Sequence, residues 1–391
     1  MTKLHFNYKD LFRSLRLGFS AKKIWVMFVG LVVGLGLYAG FAYLAWLVAG
    51  YDLLTVWESF RLLPFAESAL YPFPWYSWPI YGIGVLLFAA TALLAGTAVS
   101  KITYEQLRGD EFYESREAWR FAFRHASSVL ASPLLVLGFV ALIVVAGLLL
   151  SLLGAIPFFG EMFVGLMALP AVAASLFTVY LLIILLCSLL LAPGVVGASR
   201  SDTFDTLFEV FSCANEQPGR LAWYLGTVAV LSQLGSFLLG LAMSAAGRIG
   251  HLVLRTFMGQ DVSDLLANGA FYVKVTLPDW WPGPLYWLFR ASARAWGTPE
   301  LYLPGEYVAG LGWAHDTGAV LVAIALYVVA LVVAAYGCSI WYSGTTLAYA
   351  VLAQKKDDKN LLELPDEDED LLAPVVDPSE VAPPPDTDEG K

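Results

Sequence analysis

The stretch SRSDTFDTLFEVFSCANEQPGRLAWY, residues 199–224, decides the fold. Phe204, Leu207, Phe208 and Phe211 fall at i, i+3, i+4 and i+7, the spacing of an apolar stripe along one helix face. Asp202 stands at the N-cap position. Asp205, three residues on, makes a capping-box-like pair with it and places a charge near the positive helix end. Pro218-Gly219 ends the helix, and Arg220 stands where the next apolar run opens. Long apolar runs flank the stretch on both sides. It reads as a short helix lying flat at a membrane surface, with the four stripe residues as interfacial anchors. Asp205 and Glu209 are expected to face water, and the chain then turns into the bilayer.

Composition agrees with that reading. Of 391 residues 58% are hydrophobic and 14% charged, and the mean hydropathy is +0.66. A soluble domain carries about a quarter charged residues, so the chain is expected to be a polytopic, all-α membrane helix bundle. The net charge of −10 is local: from Lys355 onward there are 4 basic and 13 acidic residues, a net of −9. The remainder is nearly neutral, and no basic surface for nucleic acid is present. Cys187, Cys213 and Cys338 have neither metal-site nor disulfide-framework spacing and read as buried or interfacial thiols. The first apolar run is too long for a signal-peptide core and has no small-residue cleavage site before the polar loop.

Six charge-poor runs predict six spans, at about 24–50, 80–100, 128–156, 162–198, 221–247 and 317–353, within a membrane domain covering 24–353. The last, at 37 residues, would reach roughly 55 Å if wholly helical, and must project beyond the bilayer or bend. In the fourth run Pro170 and Pro193 are expected to kink the helix or mark its end. Gly30 and Gly34, then Gly36 and Gly40, form two overlapping GxxxG pairs for close helix approach; Ser232, Ser236, Gly240 and Ser244 form a small-residue ridge in the fifth run. Residues 1–23 form a basic amphipathic helix with Tyr8, Leu11, Phe12, Leu15 and Phe19 between its charges. Residues 112–126 repeat the pattern, with Trp119 and Phe123 as anchors. Flat helix plus span pair thus occurs three times, which suggests a threefold internal repeat. Of the 23 Lys and Arg residues, 17 fall in segments that this topology puts inside, four of them in the tail. Both termini are therefore expected in the cytoplasm.

The segment from Tyr104 to Tyr224, with ESREAWRFAFRH, SPLL and SDTFDTLFEVFSCANEQPGRLAWY, resembles a family of uncharacterised bacterial six-span integral membrane proteins. That family is distantly similar to the membrane domain preceding some glycerophosphodiester phosphodiesterases. SGTTLAYAVLAQKKDD at the end of the sixth run fits as well. Glu209 and Glu216 depart from the more basic elbow of the family, which weakens a lipid-headgroup role there. The resemblance implies a six-span fold in a bacterial inner membrane, but no activity, no catalytic residue and no phosphodiesterase domain.

Chemistry is sparse. The six runs hold no Asp, Glu, Lys, Arg or His, which argues against a pump or proton-coupled carrier. Gln233 is expected to hydrogen-bond a neighbouring helix. His5, His125, His251 and His315 lie outside the span centres and offer no haem ligation; His251 and His315 flank the outer segment 248–316, where an interfacial role outweighs a metal site. No Ser-His-Asp arrangement, HExxH, P-loop or dinucleotide fingerprint occurs, so no cofactor is expected. In the outer segment DWWPGPLYWLFRASARAWG sets Trp280, Trp281, Trp287 and Trp296 beside Arg290 and Arg294, an interfacial helix anchored by Trp or an aromatic platform for a partner. FYVKVTL, 271–277, alternates like a strand that would pair with LYL, 301–303. Residues 354–391 read as a disordered acidic, Pro-rich cytoplasmic tail. The expected partners are the lipid bilayer and proteins met through the outer aromatic segment or the tail. The function class expected is a non-enzymatic scaffold, assembly or membrane-organising component; the alternative is a passive channel or carrier for an apolar or neutral substrate.

Overall fold

Where the charge-free runs lie, the backbone has no water to bond and closes its hydrogen bonds within helices. The computed structural model describes residues 5–66, 72–273, 308, 312–357 and 360–363. It is all-helical, with no strand among these residues, and six helices are long and apolar enough to cross a membrane. In chain order the helices are α1 (Arg13–Gly18), α2 (Ala21–Val48), α3 (Leu53–Phe60), α4 (Trp78–Arg108), α5 (Ser115–Arg124), α6 (Ala126–Gly154), α7 (Phe159–Ser199), α8 (Thr203–Glu216), α9 (Pro218–Met258), α10 (Asp261–Val273) and α11 (Trp313–Asp357).

The long helices pair as three hairpins, α2–α4, α6–α7 and α9–α11, each preceded by a short helix: α1, α5 or α8. All three short helices sit at one end of the bundle, termed here the basal end; the opposite end carries α3 and α10. The C-terminal parts of α4, α7 and α11 meet one another at the basal end. There a buried cluster runs from Tyr104 and Leu107 through Leu191 and Val195 to Leu347–Ala353. Short helix plus long hairpin thus occurs three times along the chain.

Several boundaries move, each because a helix outlasts its apolar run. α4 continues through Lys101 to Arg108, since its last turns are buried by α7 and α11 rather than exposed to water. α9 continues through Arg248, His251 and Arg255 to Met258, taking residues first assigned to an outer polar segment. α7 runs unbroken past both Pro170 and Pro193 and ends at Arg200, a non-glycine residue with φ of 53°. Pro218 opens α9 rather than closing α8: at the first helical positions its missing N–H costs nothing. Phe271–Val273 are the last turn of α10, not a strand; residues 274–277 and 301–303 lie outside the described residues. The chain also stays with the bundle past residue 354. α11 reaches Asp357, and Leu361 is buried with its carbonyl accepting the Tyr104 hydroxyl at 2.7 Å.

Candidate functional site

The basal end gathers the features that distinguish this chain from a plain bundle. Three helices approach closely there because glycine leaves room. A Cβ at Gly197 would lie 2.6 Å from Ser100 Cβ and 3.0 Å from the Lys101 backbone nitrogen, and one at Gly194 3.3 Å from the Thr345 backbone. A Cβ at Gly96 would collide with the Tyr342 ring. α1 is fastened in the same way. Gly18 abuts the Ile340 backbone, its carbonyl accepting the Ser339 hydroxyl at 2.9 Å.

Into this contact are folded charges that a reading of the runs alone does not show. Lys101, 2% exposed, pairs with Glu105 one turn on, and Arg108 reaches the other oxygen of Glu105 at 3.7 Å. The Lys101 ammonium also lies 5.0 Å from the Phe121 ring centroid on α5 and 5.1 Å from Tyr104. Lys23, fully buried, donates to the Leu17 carbonyl at the end of α1 (2.9 Å) and to Ser343 Oγ (3.5 Å). Ser343 in turn shares a hydrogen bond with Thr103 at 3.0 Å. An ammonium at a helix C-terminus meets the negative end of the helix dipole. Burial, and then the carboxylates of Glu105 and Glu117, push the phenol of Tyr113, in the turn before α5, up to about 12. The buried polar residues thus tie α1, α2, α4, α5 and α11 together at one level. They form a fastening.

The short helices present their other sides outward. On α5, Ala118 and Ala122 are buried, Trp119 is half-buried and stacked on Phe123 at 5.7 Å, and Arg116, Arg120, Phe123 and Arg124 are exposed. α8 is buried along Thr206, Val210 and Cys213, while Leu207 and Phe211 are half-buried against a cluster of Val136, Val140, Leu181 and Ile184. Phe204 and Phe208 are exposed, at 62% and 67%. The stripe is therefore split: two residues lean on the bundle and two face away from it. Asp202 Oδ1 accepts the Asp205 backbone N–H at 2.9 Å, the expected N-cap. Glu209 departs from expectation, because the end of α11 passes beside it and Lys356 Nζ lies 3.0 Å from its carboxylate.

Of the expected packing residues, Gly30 and Gly34 face α4, where added Cβ atoms would collide with Ala95 and Thr91. Gly36 and Gly40 lie off the α4 contact face, both exposed with nothing within 4 Å. Ser232 donates to the Gly337 carbonyl at 2.7 Å, Ser236 fills the space over Gly337, and Gly240 and Ser244 are buried on the same ridge. Gln233 is exposed on the other side of α9. His251 shares a hydrogen bond with Ser263 at 3.0 Å, and no group of three potential metal ligands occurs among the described residues. Trp280, Trp281, Trp287 and Trp296 lie outside the described residues. Sequence reading missed Lys23, Lys101 and Glu105, although Lys101 and Glu105 are spaced i, i+4 directly after an apolar run. Comparison with protein families, curated proteins and solved structures found no match to this chain.

Proposed function

We propose that the protein is a non-enzymatic, membrane-organising scaffold of the bacterial inner membrane, with its basal end and both termini in the cytoplasm. The observation that carries this reading is the interlocked basal end. Ser232 and Ser236 fit the Gly337 turn of α11, Gly96 and Gly197 bring α4 against its neighbours, and the buried ion pair lies inside that contact. Packing of this kind holds a shape and leaves little room for a solute path, which weighs against the channel or carrier alternative. Around it, exposed Phe204, Phe208, Phe123 and the α5 arginines form a rim suited to the headgroup level of an anionic leaflet. Kinship with the uncharacterised six-span family, itself distantly similar to the membrane domain that precedes some glycerophosphodiester phosphodiesterases, belongs to the same proposal and rests on the α5 and α8 segments, SPLL and the end of the sixth run.

Reconstitution tests it. In vesicles containing anionic lipid the wild-type chain should alter vesicle diameter, and a variant with Arg116, Arg120 and Arg124 changed to Glu should not. Efflux of a small neutral solute should stay at the protein-free rate. Solute efflux that rises with protein content, with no effect on vesicle shape, would favour the conduit instead.

A further inference from the structure

The opposite end of the bundle holds a second, unrelated feature. α3 ends at Arg61, whose backbone adopts φ 54°, ψ −132°, a conformation rarely taken by residues other than glycine. It is held there by its own N–H, which donates to the Trp57 carbonyl at 2.9 Å, and by its carbonyl, which accepts the Tyr43 hydroxyl. The residue is 9% exposed. Its guanidinium carbon lies 4.8 Å from the Phe271 ring centroid, 5.6 Å from Tyr272 and 5.9 Å from Trp57. Those aromatic rings satisfy its charge in part, but they accept none of its directional N–H bonds. Among the described residues, no side-chain hydrogen bond or ion pair of Arg61 occurs.

The guanidinium instead lines a cleft of about 430 Å³ between α3 and α10, whose other walls are Leu54, Trp57, Glu58, Phe271 and Tyr272. Volume and lining are those of a small-molecule site: mostly apolar and aromatic, with one strong directional donor. We infer that this cleft binds a phosphate-headed amphiphile, the head on Arg61 and the first part of the tail along Leu54 and the aromatic walls. Three observations select that class. Arginine offers a planar fork matched to phosphate oxygens, and here it has donors to spare. Leu54 is 70% exposed, so the cleft opens on an apolar flank as well as on its polar mouth. Trp75 and Trp78, strongly exposed at the same end of α4, mark the level at which headgroups lie. Glu58 stands exposed on the rim, one turn before Arg61 and unpaired with it, so it opposes a bound anion rather than holding one.

The test uses the full chain in a neutral maltoside detergent, with dodecyl phosphate and inorganic phosphate as probes. Native mass spectrometry counts retained copies, and tryptophan fluorescence gives the affinity. The wild type should retain one dodecyl phosphate. Arg61→Met should weaken it by about tenfold or more, the usual worth of a charge-assisted pair. Leu54→Trp fills the cleft without touching the guanidinium, and should weaken it comparably, which covers the case in which Arg61→Met does not fold. Glu58→Gln should tighten it. Inorganic phosphate binding as strongly as dodecyl phosphate would make the site one for a free anion and overturn the amphiphile. Retention of no probe by the wild type, or unchanged affinity in Leu54→Trp, would overturn the site itself.

Discussion

Glu105→Gln is the most informative single change at the basal end. Glu105 and Lys101 expose 9% and 2% of their side chains, so neither charge is solvated when its partner is lost. Two unit charges near 4 Å attract by about 4 kcal/mol at an effective dielectric constant of about 20. Removing one member of a buried pair costs about 3–5 kcal/mol, because the other stays desolvated. Here the Phe121 and Tyr104 faces retain part of the ammonium's stabilisation, each cation–π contact being worth about 0.5–2 kcal/mol. Arg108, whose side chain is 18% exposed, can turn toward water and adds little. The expected loss is therefore near the lower bound, about 3 kcal/mol. Replacing both residues, as Lys101→Met with Glu105→Leu, removes the stranded charge and should recover most of that loss. Unfolding in mixed micelles, followed by tryptophan fluorescence, measures all three variants. If Glu105→Gln alone stays within about 0.5 kcal/mol of wild type, the level of an ordinary surface change, the basal fastening is misassigned.

Other outcomes follow from the same geometry. Gly96→Val should collapse the yield of folded protein, since its side chain would enter the Tyr342 ring, whereas Gly36→Ala, in open space, should raise stability by about 0.5–1 kcal/mol; thermal unfolding of the two side by side checks both. Glu209→Lys should destabilise, because it sets a lysine against Lys356, while Asp205→Lys one turn earlier should be tolerated better; equal midpoints in one detergent would contradict the Glu209–Lys356 pair. Truncation after residue 363 should leave extractable, monodisperse protein, and truncation after 357 should not, since it removes Leu361 from the core and strands the Tyr104 hydroxyl, a loss of about 1–3 kcal/mol for the hydroxyl alone. Tyr113 is held protonated in the folded state, so its stabilisation is complete below the ordinary tyrosine range and is lost as pH rises toward 12; subtracting a Tyr113→Phe titration isolates it, and Glu117→Gln should lower its midpoint.

How far the chain could be read in advance differs from element to element. The helical hairpins were legible because a charge-free run of sufficient length has few alternatives in a membrane. α8 was legible on one side only: its aromatic stripe showed, but the face that meets the bundle includes Thr206. That residue looks polar until its hydroxyl bonds back to the Asp202 carbonyl at 2.6 Å. The second span was expected to stop at residue 100 because an apolar run ends at its first charge, whereas the helix stops only where tertiary contacts end, at Arg108. The two GxxxG pairs are indistinguishable as strings, and the rotation that turns Gly30 and Gly34 inward turns Gly36 and Gly40 out. Arg61 gave no signal, since a lone arginine in a loop acquires its surroundings from α3 and α10, more than 200 residues apart in sequence.

The three hairpins are joined firmly at one end, yet they are not equally held at the other. α2–α4 and α9–α11 are bridged there by Arg61 on Phe271 and Tyr272. α6–α7 has no such bridge among the described residues, and from Ala141 to Tyr180 only Gly160 is buried. Mechanically, this hairpin is a cantilever: clamped near Ile184 and free over roughly 30 Å of α7. A lateral load applied at its tip acts on the clamp through that whole lever arm. Bilayer thinning or bending would therefore deflect α6–α7 first, and the torque would fall on the α8 contacts around Leu207 and Phe211.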